Sequence, residues 1–125
     1  MRLNADCVRG VLLEMEKIPY GQSLRPKALY SALKTFSEDD INYSIIKLKE
    51  VGYIDAVISE SDDGSIFRFV VNDITWDGHQ FLNNIRESSV WEKAKEKCSK
   101  IGSLAIPILS DAASAILSSA LTSQF

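Results

Sequence analysis

A chain of 125 residues with 46% hydrophobic and 25% charged side chains has the make-up of a globular domain long enough to bury a core without staples. Its net charge of −3 excludes a protein coated in basic residues for indiscriminate nucleic-acid binding, although a local basic face stays compatible with it. Two cysteines in separate segments, Cys7 and Cys98, and one histidine, His79, cannot complete a four-ligand zinc site, so no metal and no cofactor is expected.

The opening residues, "MRLNADCVRG", are interrupted by Arg2, Asp6 and Arg9 and lack the apolar run of a signal peptide. With two thiols read as free, this predicts a cytoplasmic protein. Asn4 to Lys17 reads as an amphipathic helix with Val8, Val11, Leu12 and Met15 on one stripe, Asn4 as N-cap and Asp6 in the first turn. Pro19 and Gly21 should end it. A second helix is predicted from Pro26, with Ala28, Leu29, Ala32, Leu33 and Phe36 turned inward.

Ser37 followed by Glu38, Asp39 and Asp40 has the form of an N-cap with an acidic first turn. Ile41, Ile45, Leu48 and Val51 would make the buried face of this third helix, and Gly52 would end it in the left-handed conformation. The period then changes. "YIDAVISE" and "SIFRFVVND" flank an Asp63-Gly64 turn and read as a β-hairpin, with Ile54, Ala56 and Ile58 sharing one face of the first strand. In the second strand Ile66, Arg68 and Val70 are in phase, and Phe67, Phe69 and Val71 take the other side. Three helices followed by a two-stranded ribbon is the order of a winged helix-turn-helix core.

The stretch "ITWDGHQFLNNIRESSVWEKAKEKC" crowds both tryptophans, the histidine and a cysteine into 25 positions. No serine or cysteine there stands in a nucleophile motif beside an orienting carboxylate, so no catalytic residue is assigned and His79 reads as a partly exposed residue bonded to a neighbour. Thr75 is a natural N-cap, Gly78 implies a close approach of the helix to the ribbon, and Trp76, Phe81, Leu82 and Ile85 are the apolar positions. Trp76 and Trp91 are expected as core anchors.

These blocks, with "LLEMEKIP", "INYSIIKLKEVGYIDA" and "GSLAIPIL", resemble domain of unknown function 2513, a family of small bacterial and phage proteins. The likeness spans nearly the whole chain, and "TWDGHQFL…IR…VWEKAKEK" is its most particular part. The resemblance implies a winged-helix-like core and frequent association with mobile elements. It implies no activity and supplies no catalytic residues.

The organisation expected is therefore α+β, mainly α, with a winged-helix-like domain over 1–87 and a helical extension over 88–125. In the extension, a helix from Ser88 or Ser89 to Lys100 would place Trp91, Ala94, Cys98 and Ile101 inward, and its excess of lysine leaves a net charge of +2. The last segment carries only Asp111 as a charge, and Pro107, Asp111 and its serines make it a poor membrane span. Leu104, Ile108, Leu109, Ala112, Ile116, Leu117 and Leu121 are its candidate oligomer interface, for folding back or for a homodimer.

Two functions compete on these residues. A DNA-binding regulator would turn Asn42, Tyr43 and Lys47 of the third helix to double-stranded DNA, with Asn42 reading an adenine edge, Lys47 and Lys49 meeting phosphates, and Arg25, Lys27, Lys34 and Arg68 adding backbone contacts. A module for a protein partner, non-enzymatic, explains the "SEDD" helix start and the Asp62-Asp63 turn more naturally, since carboxylates there repel phosphate.

Overall fold

The computed structural model describes residues 1–64, 67–100 and 106–123, with side chains among them up to residue 119. Among the described residues the architecture is α+β and mainly helical: α1 (Ala5–Glu16), α2 (Pro26–Ala32), α3 (Glu38–Glu50), the hairpin β1 (Ile54–Glu60) and β2 (Phe67–Ile74), then α4 (Trp76–Ile85), α5 (Ser88–Lys100) and α6 (Ile106–Ser123). The chain divides into two compact units, Met1–His79 and Gln80–Phe125, so the division falls inside α4, whereas the sequence placed it after residue 87.

In the first unit, α1 begins where Asn4 accepts the backbone N–H of Cys7 on its side-chain oxygen at 3.1 Å. Cys7, Val8, Val11 and Leu12 are wholly buried and Met15 nearly so, the stripe that a 3.6-residue period demands. This stripe packs on α3. There Ser37 accepts the N–H of Asp40 at 3.1 Å, and Ile41, Ile45 and Leu48 are fully buried. Each such side chain contributes about 2 kcal/mol by leaving water. Ser44 joins that face because its hydroxyl bonds back to the carbonyl of Asp40 at 2.8 Å. Burial raises the thiol pKa of neighbouring Cys7, partly offset by a hydrogen bond with Ser44.

The end of α3 is a Schellman motif. The N–H of Tyr53 donates to Leu48 and that of Gly52 to Lys49, with Gly52 at φ +78. Val51 consequently lies beyond the buried stripe and is 37% exposed, against the expectation that it would join the core. The second helix also departs from expectation. It stops at Ala32, because Leu33 turns to φ −116, ψ 51, and only Leu29 is fully buried. A helical phase cannot continue past that break, so Ala28 and Ala32 face water while Leu33 and Phe36 are half-buried.

The hairpin pairs Ile58 with Phe69, Ala56 with Val71 and Ile54 with Ile74. Between the last two pairs a β-bulge at Asp55/Ala56 gives β2 one extra residue. The bulge keeps Phe69, Val71 and Ile74 all on the buried side, although Val71 and Ile74 are three positions apart. Leu24 adds an antiparallel bridge to Val71, its N–H and carbonyl both bonded at 2.8 and 2.9 Å. Gly64 donates to Ser61 at 2.9 Å at the hairpin tip; Ile66 lies outside the described residues.

Thr75 then ties four elements together. Its hydroxyl donates to the carbonyl of Gly52 at 2.5 Å and accepts the N–H of Gly78 at 3.1 Å, and its own N–H donates to Tyr53 at 3.1 Å. A Cβ at Gly78 would overlap the carbonyl oxygen of Tyr53 and stand 2.7 Å from Ile74 Cγ2. Trp76, next to Thr75, is 77% exposed and is not the core anchor expected of it: the cap turns the first helical position outward.

The second unit buries Phe81, Leu82 and Ile85 of α4, Val90, Trp91, Ala94 and Cys98 of α5, and Ile106, Leu109 and Ala113 of α6, with α5 packed on α6. Burial also raises the thiol pKa of Cys98. Outward, α5 carries Glu92–Lys95 and Glu96–Lys100 pairs at 3.2 and 3.4 Å, and the Lys95 ammonium lies 5.5 Å from the Trp91 ring centroid. No helix among the described residues is long and apolar enough to cross a membrane. Leu104 and Ile101 lie outside the described residues, as does the side chain of Leu121.

Two substitutions test this account by urea denaturation. Gly78→Ala forces a methyl into the Tyr53 carbonyl and should cost more than about 3 kcal/mol. Gly52→Ala strains a left-handed backbone with open space around it and should cost about 1 kcal/mol. Equal costs at the two sites would contradict the close approach at Gly78.

Candidate functional site

The residues proposed to touch DNA are held by α2, α3 and β2 of the first unit. Arg25 is the N-cap of α2 without a side-chain capping bond, Lys27 lies in its first turn and Lys34 follows its last. All three are exposed, and none has an ionic partner among the described residues. From residue 17 to residue 37 the sequence contains Lys17, Arg25, Lys27 and Lys34 and no carboxylate. This segment is the basic part of the unit.

The outer side of α3 differs. Lys47 bonds Glu50 at 3.0 Å, and its ammonium stands 5.2 Å from the Tyr43 ring centroid. The hydrogen bond it donates to Glu50 raises the Lys47 pKa, so this lysine is a charged but locally neutralised group. Asn42 is half-buried and its side-chain oxygen accepts the hydroxyl of Tyr30 from α2. Reading an adenine edge needs both the oxygen and the NH2 of an asparagine turned to the base. Here the oxygen already holds α2 against α3. Lys49 is exposed and unpaired among the described residues.

The structure thus joins Tyr43 to Lys47 and Asn42 to Tyr30, and leaves Arg25, Lys27, Lys34, Lys49 and Arg68 as single exposed charges. Sequence reasoning passed over Tyr30. Its ring meets Phe69 edge-on at 6.3 Å, while burial raises its hydroxyl pKa. An aromatic with a polar tip on a short helix was the available signal.

Carboxylates dominate elsewhere. Helix α3 has Glu38, Asp39, Asp40 and Glu50 against two lysines, and residues 54–74 hold Asp55, Glu60, Asp62, Asp63 and Asp73 against Arg68. Asp40 is partly engaged, accepting from Asn4 at 3.5 Å, whereas Glu38 and Asp39 are exposed. Asp55 and Asp73 are direct cross-strand partners, an arrangement of like charges that opposes pairing.

His79 is exposed; its backbone N–H donates to Thr75 at 2.9 Å, and its ring has no bond among the described residues. No group of three His, Cys, Asp or Glu among the described residues could hold a metal ion. Of the candidate oligomer residues, Leu109 is fully buried inside the second unit and so belongs to its core. Ile108 is exposed, and Ala112, Ile116 and Leu117 are half-exposed.

Comparison with known proteins gives a family. An "Uncharacterized protein" of Haemophilus influenzae (strain ATCC 51907 / DSM 11121 / KW20 / Rd) is 28% identical over 96 residues, covering 76% of each chain. No solved structure matches. A family model described as "Hypothetical protein (DUF2513)" matches residues 2–105, which takes in everything from α1 through α5, and the chain belongs to that family.

Proposed function

We propose that the chain is a non-enzymatic interaction module with a winged helix-turn-helix core, whose α3 and hairpin receive a positively charged segment of a protein partner. The element order α1, α2, α3, β1, β2 supports the core assignment, as does the isolated bridge by which Leu24, just before α2, pairs with Val71 of the ribbon. The observation that carries the partner assignment is the charge of the surface a winged helix would offer to DNA. Nine carboxylates stand against three basic side chains on α3 and residues 54–74, and one of those three, Lys47, is already paired.

Such a surface repels phosphate and attracts lysine or arginine. The surroundings of the two thiols fit the same reading. Cys7 and Cys98 are buried with raised pKa values, the opposite of an activated nucleophile, and free thiols suit the reducing cytoplasm.

The second reading, a DNA-binding regulator of a mobile element, is favoured by one feature. The α2 segment is basic, and the first helix of a helix-turn-helix pair crosses the phosphate backbone. It would bind through Arg25, Lys27 and Lys34 in spite of α3.

Fluorescence anisotropy with a labelled random duplex and a labelled lysine-rich peptide separates the two. The module reading expects no duplex binding up to about 100 μM protein at about 50 mM salt. It expects peptide binding that Asp39→Lys with Asp62→Lys abolishes. Micromolar duplex binding that weakens steeply by about 200 mM salt, and is lost in Lys27→Glu or Lys47→Glu, would reverse the order of the two readings.

A further inference from the structure

Helix α6 has one charged residue in 18 positions, Asp111. Its packing on α5 uses only part of its apolar surface. Ile106, Leu109 and Ala113, spaced three and four apart, are buried. Beside them Ile108, Ala112 and Ile116, spaced four apart, form a second stripe that stays exposed or half-exposed.

This second stripe borders a shallow groove of about 510 Å³ between α5 and α6, lined by Lys97, Cys98, Lys100, Ile108, Asp111 and Ala112. Its walls are almost wholly apolar atoms, because the lysines contribute their aliphatic stems. Three charges ring it. Lys100 is engaged with Glu96 at 3.4 Å, but Lys97 and Asp111 have no ionic partner among the described residues.

An apolar strip that carries both an unpaired cation and an unpaired anion at its rim is self-complementary. A two-fold axis brings the same patch of two copies together, residue i of each against residue j of the other. We infer that the α5–α6 groove is a homodimer interface: Ile108 and Ala112 of each copy fill the groove of the other, and Asp111 of each copy faces Lys97 of the other. A partner of one charge sign would satisfy only half of this rim. A second copy satisfies both halves, and the small side chains of Ala112 and Ala115 permit close helix approach. The inference is independent of the basic-partner reading, which uses the first unit.

Analytical ultracentrifugation of the full chain at about 5 to 100 μM, a range that brackets ordinary weak dimers, tests it. The expected result is a reversible dimer. Ile108→Asp should raise its dissociation constant at least about 100-fold, since a charge then enters the desolvated centre. Lys97→Glu and Asp111→Lys should each weaken it about tenfold at low salt. The decisive step mixes those two single variants. In the mixed dimer one Asp111–Lys97 pair is native and the other is restored with its charges exchanged, so it should form about as tightly as the native dimer, although neither variant pairs well with itself. A monomer across the whole range overturns the proposal. So does a dimer that Ile108→Asp leaves intact, or a mixture no tighter than its components. Circular dichroism of each variant, unchanged from the native chain, keeps a loss of folding from being read as a loss of dimer.

Discussion

The first unit depends on a single contact, the hydroxyl of Thr75 against the end of α3. By donating to the carbonyl of Gly52 and accepting from Gly78, that one side chain fixes where α3 stops, where β1 starts, where β2 ends and where α4 begins. The two glycines serve it differently. Gly52 supplies the left-handed turn that lets Tyr53 and its own N–H close the last carbonyls of α3, and Gly78 removes a Cβ that the Tyr53 carbonyl would otherwise strike. Tyr53 is the hinge of the arrangement: its N–H completes the α3 cap and its carbonyl receives Thr75. The start of β1 and the end of β2, which pair as Ile54 and Ile74, are held together there.

The helices that carry caps and stripes together are legible in the sequence. Asn4 and Ser37 cap α1 and α3 as their residue types demand, and the stripes at Val8, Val11, Leu12 and at Ile41, Ile45, Leu48 are buried. Failures occur where a local irregularity resets the phase. Helix α2 breaks at Leu33, which no composition rule announces. A two-residue alternation holds in β2 from Phe69 to Val71 and then slips by one at the bulge, so that Ile74 rather than Asp73 turns inward. Trp76 departs from expectation for a related reason. Aromatic bulk suggests burial, but the first position after a helix cap points where the cap sends it, and Thr75 sends it to solvent.

The candidate surface was legible as a list of charges and illegible as a set of pairings. That Glu38, Asp39, Asp62 and Asp63 oppose phosphate follows from the sequence alone. The neutralisation of Lys47 by Glu50 was open to an i,i+3 search. The bond from Tyr30 to Asn42 crosses between helices, and only the packing of α2 on the rest of the unit could reveal it. It converts the residue best suited to reading a base into one that holds two helices together.

The crowding of rare residues around α4 and α5 therefore has no common chemical cause. Trp76 and His79 face water in the first unit, and Trp91 and Cys98 are buried in the second, so they serve different surroundings. The family match covers residues 2–105 and α6 begins at Ile106, just after the matched span. The two proposed surfaces also obey different physics. A basic partner on the carboxylates of α3 and the hairpin would be held by a field that ordinary salt screens within about 8 Å. A second copy seated in the groove between α5 and α6 would be held by removing apolar atoms from water, which salt leaves intact or strengthens, and only the charges of Lys97 and Asp111 at its rim would be screened. Raising the ionic strength would thus weaken the proposed capture of a basic partner and leave the proposed self-association in place.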